Sequence, residues 1–138
     1  MSEPHALDIQ PLQKAVLALA AAMARHAQNP GDDIVRDACI QRFEFTYEVS
    51  HKMLKRYLEA TSANPAEFDA MSFQDLIRTG SERGLLLSDW SRWKVFRTAR
   101  SITSHTYDET KAREVFAIIP EFLAEASHLR DRLKDAAA

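Results

Sequence analysis

Near the start of the chain, apolar residues recur at helical spacing. From residue 9 to residue 26 they are separated by steps of three and four, the spacing of one buried face of an α-helix. The sequence NPGDD at 29–33 then combines residues that break helices. The pattern therefore predicts a helix over about residues 8–28. Its apolar face consists of Ile9, Leu12, Val16, Leu19, Met23 and His26.

The next segment, about residues 32–61, carries apolar residues on two nearly opposite faces, with Asp32 or Asp33 as the expected N-cap. Phe43 and Phe45 lie about 200° apart at 100° per residue, so one contact surface cannot bury both. Either the helix is central to a bundle, or one face meets a partner subunit; we favour the partner, because only four principal helices are available. One stripe is Ile40, Phe43, Tyr47, Leu54, Tyr57 and Leu58, and the other is Phe45, Val49 and Met53.

A loop and a short helix are predicted next. Residues 61–71 are rich in Ser, Asn and Pro, which indicates a loop. Ser72 is a suitable N-cap, and Gly80 or Gly84 is a suitable helix stop. We expect this short element to cover one end of the bundle.

Two further helices complete the chain. Ser88 and Asp89 can cap a helix with an aromatic-rich face, and Asp108 can cap the last helix. Pro120 lies inside the last helix and predicts a kink or a brief break. The fourth helix contains Trp90, Trp93, Val95, Phe96, Ala99 and Ile102, and the last carries Ala112, Val115, Phe116, Ile119, Phe122, Leu123, Ala126, Leu129 and Leu133.

Composition agrees with an all-α protein. The 138 residues are 46% hydrophobic, with only three glycines and five prolines, which suits one helical domain over residues 1–138. We therefore expect an antiparallel four-helix bundle with an additional short helix. A formal charge of -2 argues against a surface coated with positive charge for duplex binding, but it allows a local basic site.

The sequence carries no sign of an oxidising compartment or a membrane. A single cysteine, Cys39, excludes an internal disulfide and is expected in or near the core. The N-terminal sequence has Glu3 and Asp8 instead of a basic segment, and Arg25 and His26 end the apolar run AVLALAAAMA too soon to span a bilayer. We expect a cytoplasmic protein that neither spans nor anchors to a membrane.

Candidate chemistry gathers where the fourth helix should end, in RSITSHTY at 100–107. In an unbroken helix, His105 would lie about 140° around from Arg100, so the chain must bend for the two to meet. Asp108 as the next N-cap places that bend at about residues 104–107. The bend would let His105 and Tyr107 fold back towards Arg100 or towards a second copy. Arg97, Arg100, Ser101 and Ser104 form a polar stripe on this helix.

An arginine and a histidine can together cleave RNA without a metal. The guanidinium binds phosphate and stabilises charge on the phosphorane, while the imidazole takes the 2′-hydroxyl proton or protonates the leaving oxygen. Two copies would supply both the acid and the base. The alternative is that Arg100 pairs with a surface carboxylate while His105 and Tyr107 cap carbonyls at a helix end.

Three stretches resemble a known family. QRFEFTYEVSHKMLKRYLE at 41–59, RSITSHTYDE at 100–109 and RDACIQRF at 36–43 are similar to the nucleotidyltransferase substrate-binding proteins of the HEPN (higher eukaryotes and prokaryotes nucleotide-binding) superfamily. The resemblance extends over nearly the whole chain. It implies a five-helix homodimer, encoded beside a minimal nucleotidyltransferase and forming a toxin–antitoxin-like pair with it.

The resemblance also assigns roles to residues. The family motif R-x4-H, a ribonuclease site at the dimer interface, falls on Arg100 and His105, and Ser101 stands where the family often has Asn or Asp. In the extended form H-x-Y, the tyrosine that the partner transferase modifies with adenylate would be Tyr107. A phosphate beside Arg100 would block RNA, so the partner would neutralise the toxin by occluding its site. No cofactor is implied.

Most of the remaining polar and aromatic residues are expected to have structural roles. The histidines outside the motif show no metal-ligand spacing, so no metal site is expected. Trp90 and Trp93 are expected in the core rather than stacked on bases. Glu44 and Glu48, with Lys52 and Arg56 on the same strip, predict a row of ion pairs along the helix. Lys52, Lys55 and Arg56 could also help hold RNA or the partner. The histidines for which no metal site is expected are His5, His26, His51 and His128.

Two functions follow, and a third class competes with both. The leading hypothesis is a toxin-like, metal-independent endoribonuclease that binds a minimal nucleotidyltransferase and uses Arg100 and His105 of both chains. The alternative is a non-catalytic subunit that presents Tyr107, or a nucleotide pocket, to the transferase. A purely structural helical oligomer is the third class.

Overall fold

The computed structural model describes residues 7–137, and within them every regular element is helical. This confirms the predicted all-α bundle with one additional short helix, α3. The residues before Leu7, which include Glu3 and His5, lie outside the described part. The helices are α1 (Gln10–Gln28), α2 (Asp33–Ala60), α3 (Phe73–Glu82), α4 (Trp90–Ser101) and α5 (Glu109–Ala137), with 3₁₀ turns at Pro65–Phe68 and Thr103–His105.

Side-chain caps start four of the helices, as the sequence predicted. Asp32, Ser72, Asp89 and Asp108 each accept hydrogen bonds from backbone N–H groups of the following turn, at 2.9–3.3 Å. Such a cap stabilises a helix by about 1 kcal/mol. Gly84 follows the end of α3 with a φ of 74°, a left-handed conformation that favours glycine.

An aromatic cluster lies at the centre of the bundle. Phe122 of α5 packs edge-on against Phe43 of α2 and against Trp93 and Phe96 of α4, with ring centroids 5.1–5.9 Å apart. All four side chains are fully buried. Trp93 is thus a core residue, as expected, and Cys39 is also fully buried, which raises the pKa of its thiol.

The two apolar stripes of α2 have different surroundings. Most of the first stripe is buried, as predicted. In the second stripe, Met53 joins the core, Val49 is partly buried, and the Phe45 side chain is 59% exposed. Phe45 is therefore the member of that stripe that the described residues leave uncovered. That a partner subunit packs against it remains a prediction.

Two local predictions hold only in part. Of the kink or brief break predicted at Pro120, the break does not occur, because α5 is continuous from Glu109 to Ala137. A proline removes one backbone donor, and the packing of the long apolar face holds the helix together on both sides of it. Residues 61–71 are not wholly irregular, since they contain the 3₁₀ turn at Pro65–Phe68.

None of the helices in residues 7–137 combines the length and apolar character needed to cross a bilayer.

Truncating a leucine tests the position of the core. Leu129 on α5 is fully buried and Leu17 on α1 is 66% exposed. We expect Leu129→Ala to lower the free energy of unfolding by about 2–5 kcal/mol, because it removes buried methyl groups and leaves a cavity. Leu17→Ala is the matched control and should change it by less than about 0.5 kcal/mol. Urea denaturation measures both; equal losses would contradict this arrangement.

Candidate functional site

The predicted bend between α4 and α5 is present. Helix α4 ends at Ser101, the 3₁₀ turn Thr103–His105 follows, and α5 begins at Glu109. The backbone N–H of His105 donates to the carbonyl of Ile102 at 3.0 Å, and that of Asp108 donates to the carbonyl of His105 at 3.1 Å. Hydrogen bonds within the turn therefore hold its backbone.

Arg100, in the last turn of α4, reaches across to α2. Its Nε donates to Oε2 of Glu48 at 3.0 Å, and its Nη2 lies 3.2 Å from Oε2 of Glu44. Its Nη1 donates to the hydroxyl of Thr103 at 3.3 Å. The structure thus brings Arg100 into the contact named as the alternative, a pairing with surface carboxylates.

This contact corrects the interpretation of the α2 acidic residues. Glu44 and Glu48 form no ion pair with Lys52 or Arg56 within residues 7–137, and instead both face Arg100. The spacing along α2 was favourable for local pairs, but surface pairs of that kind stabilise a helix by only about 0.2–0.5 kcal/mol. The guanidinium of Arg100, which comes from another helix, binds both carboxylates at once, and this contact replaces the expected pairs along α2.

The cluster is open to solvent. The side chains of Arg100, Glu44 and Glu48 keep 31%, 39% and 37% of their surface exposed. Ion pairs this exposed stabilise a fold by about 0–1 kcal/mol each. A guanidinium has five N–H groups, and three partners leave at least two of them for a ligand. The cluster therefore orients Arg100 more than it stabilises the bundle.

A second histidine belongs to this cluster. His51, one turn after Glu48 on α2, has its Nε2 3.2 Å from Oε1 of Glu48, so that one carboxylate contacts both His51 and Arg100. The His51 ring packs edge-on against Phe73 and Tyr47, each with centroids 5.6 Å away. Its side chain is 25% exposed. From the sequence, His51 was expected to lie outside any metal site and was given no other role, although the i, i+3 spacing of Glu48 and His51 indicated that these two side chains could meet.

Arg97 lies beside the same cluster. Its guanidinium carbon stands 5.3 Å from the centroid of Phe73, a cation–π distance. Burial raises the pKa of the neighbouring Tyr47 to about 12, with Arg97 acting in the opposite direction. Tyr47 therefore keeps its proton at neutral pH. Arg97 and Arg100 form a cationic edge of α4 that faces α2 and α3.

His105 and Tyr107 lie on the outside of the junction. Both are exposed, Tyr107 to 88%, and their ring centroids are 6.3 Å apart. No hydrogen bond or ion pair joins His105 to Arg100 within the described residues. Within residues 7–137 the fold therefore does not join this guanidinium and imidazole by a hydrogen bond.

The two serines of the predicted stripe play different parts. Ser101 donates its hydroxyl to the carbonyl of Thr98 at 2.6 Å, so it bonds its own helix, and Ser104 is exposed in the 3₁₀ turn. Neither is hydrogen bonded to Arg100 within residues 7–137. That stretch also contains no group of three His, Cys, Asp or Glu side chains placed to hold a metal ion.

Comparison with known proteins places the chain in a family. The model of the family described as nucleotidyltransferase substrate binding protein like matches residues 7–135. The protein named probable ribonuclease HepT of Haemophilus influenzae is 43% identical over 102 residues, which are 74% of this chain and 69% of that protein.

A solved structure agrees with this match. It is a protein of Haemophilus influenzae whose fold is described as that of a substrate-binding domain of a nucleotidyltransferase. It superimposes with a TM-score of 0.85 at 35% identity, covering 92% of this chain and 99% of its own. The family that the motifs predicted is confirmed, and the chain belongs to the nucleotidyltransferase substrate-binding proteins.

Proposed function

We propose that the chain is the toxin-like subunit of a pair with a minimal nucleotidyltransferase, and that it is a metal-independent endoribonuclease. The similarity to a protein named probable ribonuclease HepT carries this proposal. Arg100 and His105, on the two sides of a solvent-exposed junction, supply residue types suited to the reaction. The expected setting is the cytoplasm, where RNA and the partner are present.

Phosphodiester cleavage needs a cationic clamp and proton transfer. The 2′-oxygen attacks phosphorus, its proton goes to a base, and the bond from phosphorus to the 5′-oxygen breaks as that oxygen receives a proton. The products are a 2′,3′-cyclic phosphate and a 5′-hydroxyl. Arg100 stabilises the phosphorane through its remaining N–H groups, and His105 moves one of the two protons.

Such a site requires two copies of the chain. Within residues 7–137 no hydrogen bond or ion pair joins His105 to Arg100, and His105 lies exposed where a second copy can approach. The exposure of Phe45 supports a dimer contact on this side of α2. Its side chain is 59% exposed and lies about 60° around α2 from Glu48, which binds Arg100. A homodimer that covers Phe45 places Arg100 of one copy near the junction of the other.

Tyr107 is the proposed point of neutralisation. Its phenol oxygen attacks the α-phosphate of ATP on the partner transferase, pyrophosphate leaves, and the phenol proton passes to solvent. At 88% exposure Tyr107 is accessible, whereas Tyr47 is buried. The attached adenylate carries a phosphate that competes with RNA for Arg100.

A non-catalytic binding subunit is the second candidate. The relative of known structure is described as a substrate-binding domain, and Arg100 is already held by two carboxylates. In this case the dimer would present Tyr107 or a nucleotide to the transferase. A stable complex with the transferase, together with no RNA cleavage by the wild-type protein, would favour this candidate.

Removing the imidazole of the motif tests the nuclease. We expect purified wild-type protein to cleave RNA in EDTA, and His105→Ala to be slower by about 10²- to 10⁴-fold, the usual contribution of general acid–base catalysis. His128→Ala, which removes a histidine of α5 outside the cluster, is the control and should cleave at the wild-type rate. Equal cleavage by His105→Ala and wild type would rule out this site.

Intact-mass measurement tests the modification. With the partner transferase and ATP, the chain should gain the mass of an adenylate and lose its ribonuclease activity. Tyr107→Phe should gain no mass, because it lacks the acceptor oxygen, and Tyr57→Phe serves as the matched control that is still modified. An unchanged mass for wild type, or modification of Tyr107→Phe, would refute this role.

A further inference from the structure

The contact between Glu48 and His51 has no part in the motif, yet it lies in the same cluster as Arg100. Oε1 of Glu48 contacts the His51 ring at 3.2 Å while Oε2 accepts from Arg100 at 3.0 Å. One carboxylate therefore fixes a phosphate-binding cation and an imidazole side by side. The sequence separates Arg100 from Glu48 by 52 residues, so only the fold brings the three together.

We propose that His51 is a catalytic residue of the same ribonuclease site and donates the proton to the leaving 5′-oxygen. This inference rests on the proposed function and adds a second imidazole from α2. In it, His105 takes the 2′-hydroxyl proton, so that the acid and the base are two different histidines instead of two copies of His105.

The hydrogen bonding of His51 suits a proton donor. An ionised carboxylate only accepts hydrogen bonds, so the contact with Glu48 places a hydrogen on Nε2. Nδ1 is then the ring nitrogen that exchanges a proton with a substrate, and within residues 7–137 it has no hydrogen-bond partner. The Glu48 carboxylate balances the positive charge of the ring while Nδ1 carries the proton to be donated.

The surroundings of His51 fix its direction and keep it accessible. Phe73 and Tyr47 pack against the ring, and Glu48 holds one nitrogen, so the imidazole has little freedom to rotate. A quarter of its side chain still reaches solvent. A phosphate bound by Arg100 would therefore lie within the same open cluster as His51. Glu48 acts as a positioning residue for both groups.

Proton balance follows the two histidines. The proton that leaves the 2′-hydroxyl is received by His105, and the bond from the 2′-oxygen to phosphorus forms. The bond from phosphorus to the 5′-oxygen then breaks, and its electron pair takes the proton from Nδ1 of His51. After product release, the two rings return to their starting states by exchange with solvent. No oxidant, metal or co-reactant is consumed.

A substrate with an altered leaving group shows whether His51 acts as a general acid or has only a structural role. In RNA with a 5′-bridging sulfur at one linkage, the leaving thiolate needs no proton, so loss of a general acid no longer slows cleavage. We expect His51→Ala and His51→Gln to cleave ordinary RNA about 10²-fold more slowly than wild type, and to cleave the sulfur-substituted RNA at nearly the wild-type rate. His105→Ala should be slow on both substrates, because it removes the base.

Two further variants complete the design. Glu48→Gln should slow both substrates, because Glu48 also positions Arg100, and His128→Ala should match wild type on both. Thermal unfolding should show that each variant is folded. The proposal is overturned if His51→Ala cleaves ordinary RNA as wild type does, or if it is equally impaired on both substrates. Failure of the proposed function is a different result: no cleavage by wild type, or full cleavage by His105→Ala.

Discussion

The ion pairs between Arg100 and the α2 carboxylates are the contact on which the candidate site depends. They hold the end of α4 against α2 just before the junction. At the other side of the junction, Nη1 of Arg36 on α2 donates to Oε2 of Glu109 at 2.7 Å, and this bond holds the pKa of the Glu109 carboxyl below its usual range. Helix α2 therefore holds both ends of the segment that carries His105 and Tyr107. The pairs of Arg100 are exposed and contribute little free energy, so the buried aromatic cluster supplies the stability while the ion pairs supply position.

This division explains why charged residues tolerate exposure here. A salt bridge at the surface adds little to the free energy of unfolding, whereas a side chain that binds phosphate must be both oriented and accessible. Arg100 meets both conditions, because three partners fix its guanidinium and about a third of the side chain remains open. In the proposed ribonuclease, a phosphate would bind the two N–H groups that these three partners leave free.

Local chemistry made much of the fold predictable from the sequence. The cap at Asp108 and the seam of α5 depend on residues near one another in the chain, and both predictions were confirmed. The site was harder to predict, because Glu48 has favourable neighbours along its own helix and its real partner is 52 residues away. His51 is only three residues from Glu48, but it joins Arg100 only through Glu48, so its place in the cluster also depends on the distant contact. The arrangement of a second copy depends on exposed apolar side chains such as Phe45. The sequence shows that these residues are apolar but does not show what covers them.

Mixing two inactive variants tests most directly whether one site uses two chains. Arg100→Ala and His105→Ala are each expected to be inactive, and heterodimers formed by refolding them together contain one site with both residues intact. If Arg100 of one copy works with His105 of the other, an equal mixture should recover about a quarter of the wild-type cleavage rate, because half of the dimers are mixed and each has one working site. A mixture that forms heterodimers but stays as inactive as its components would contradict the shared site.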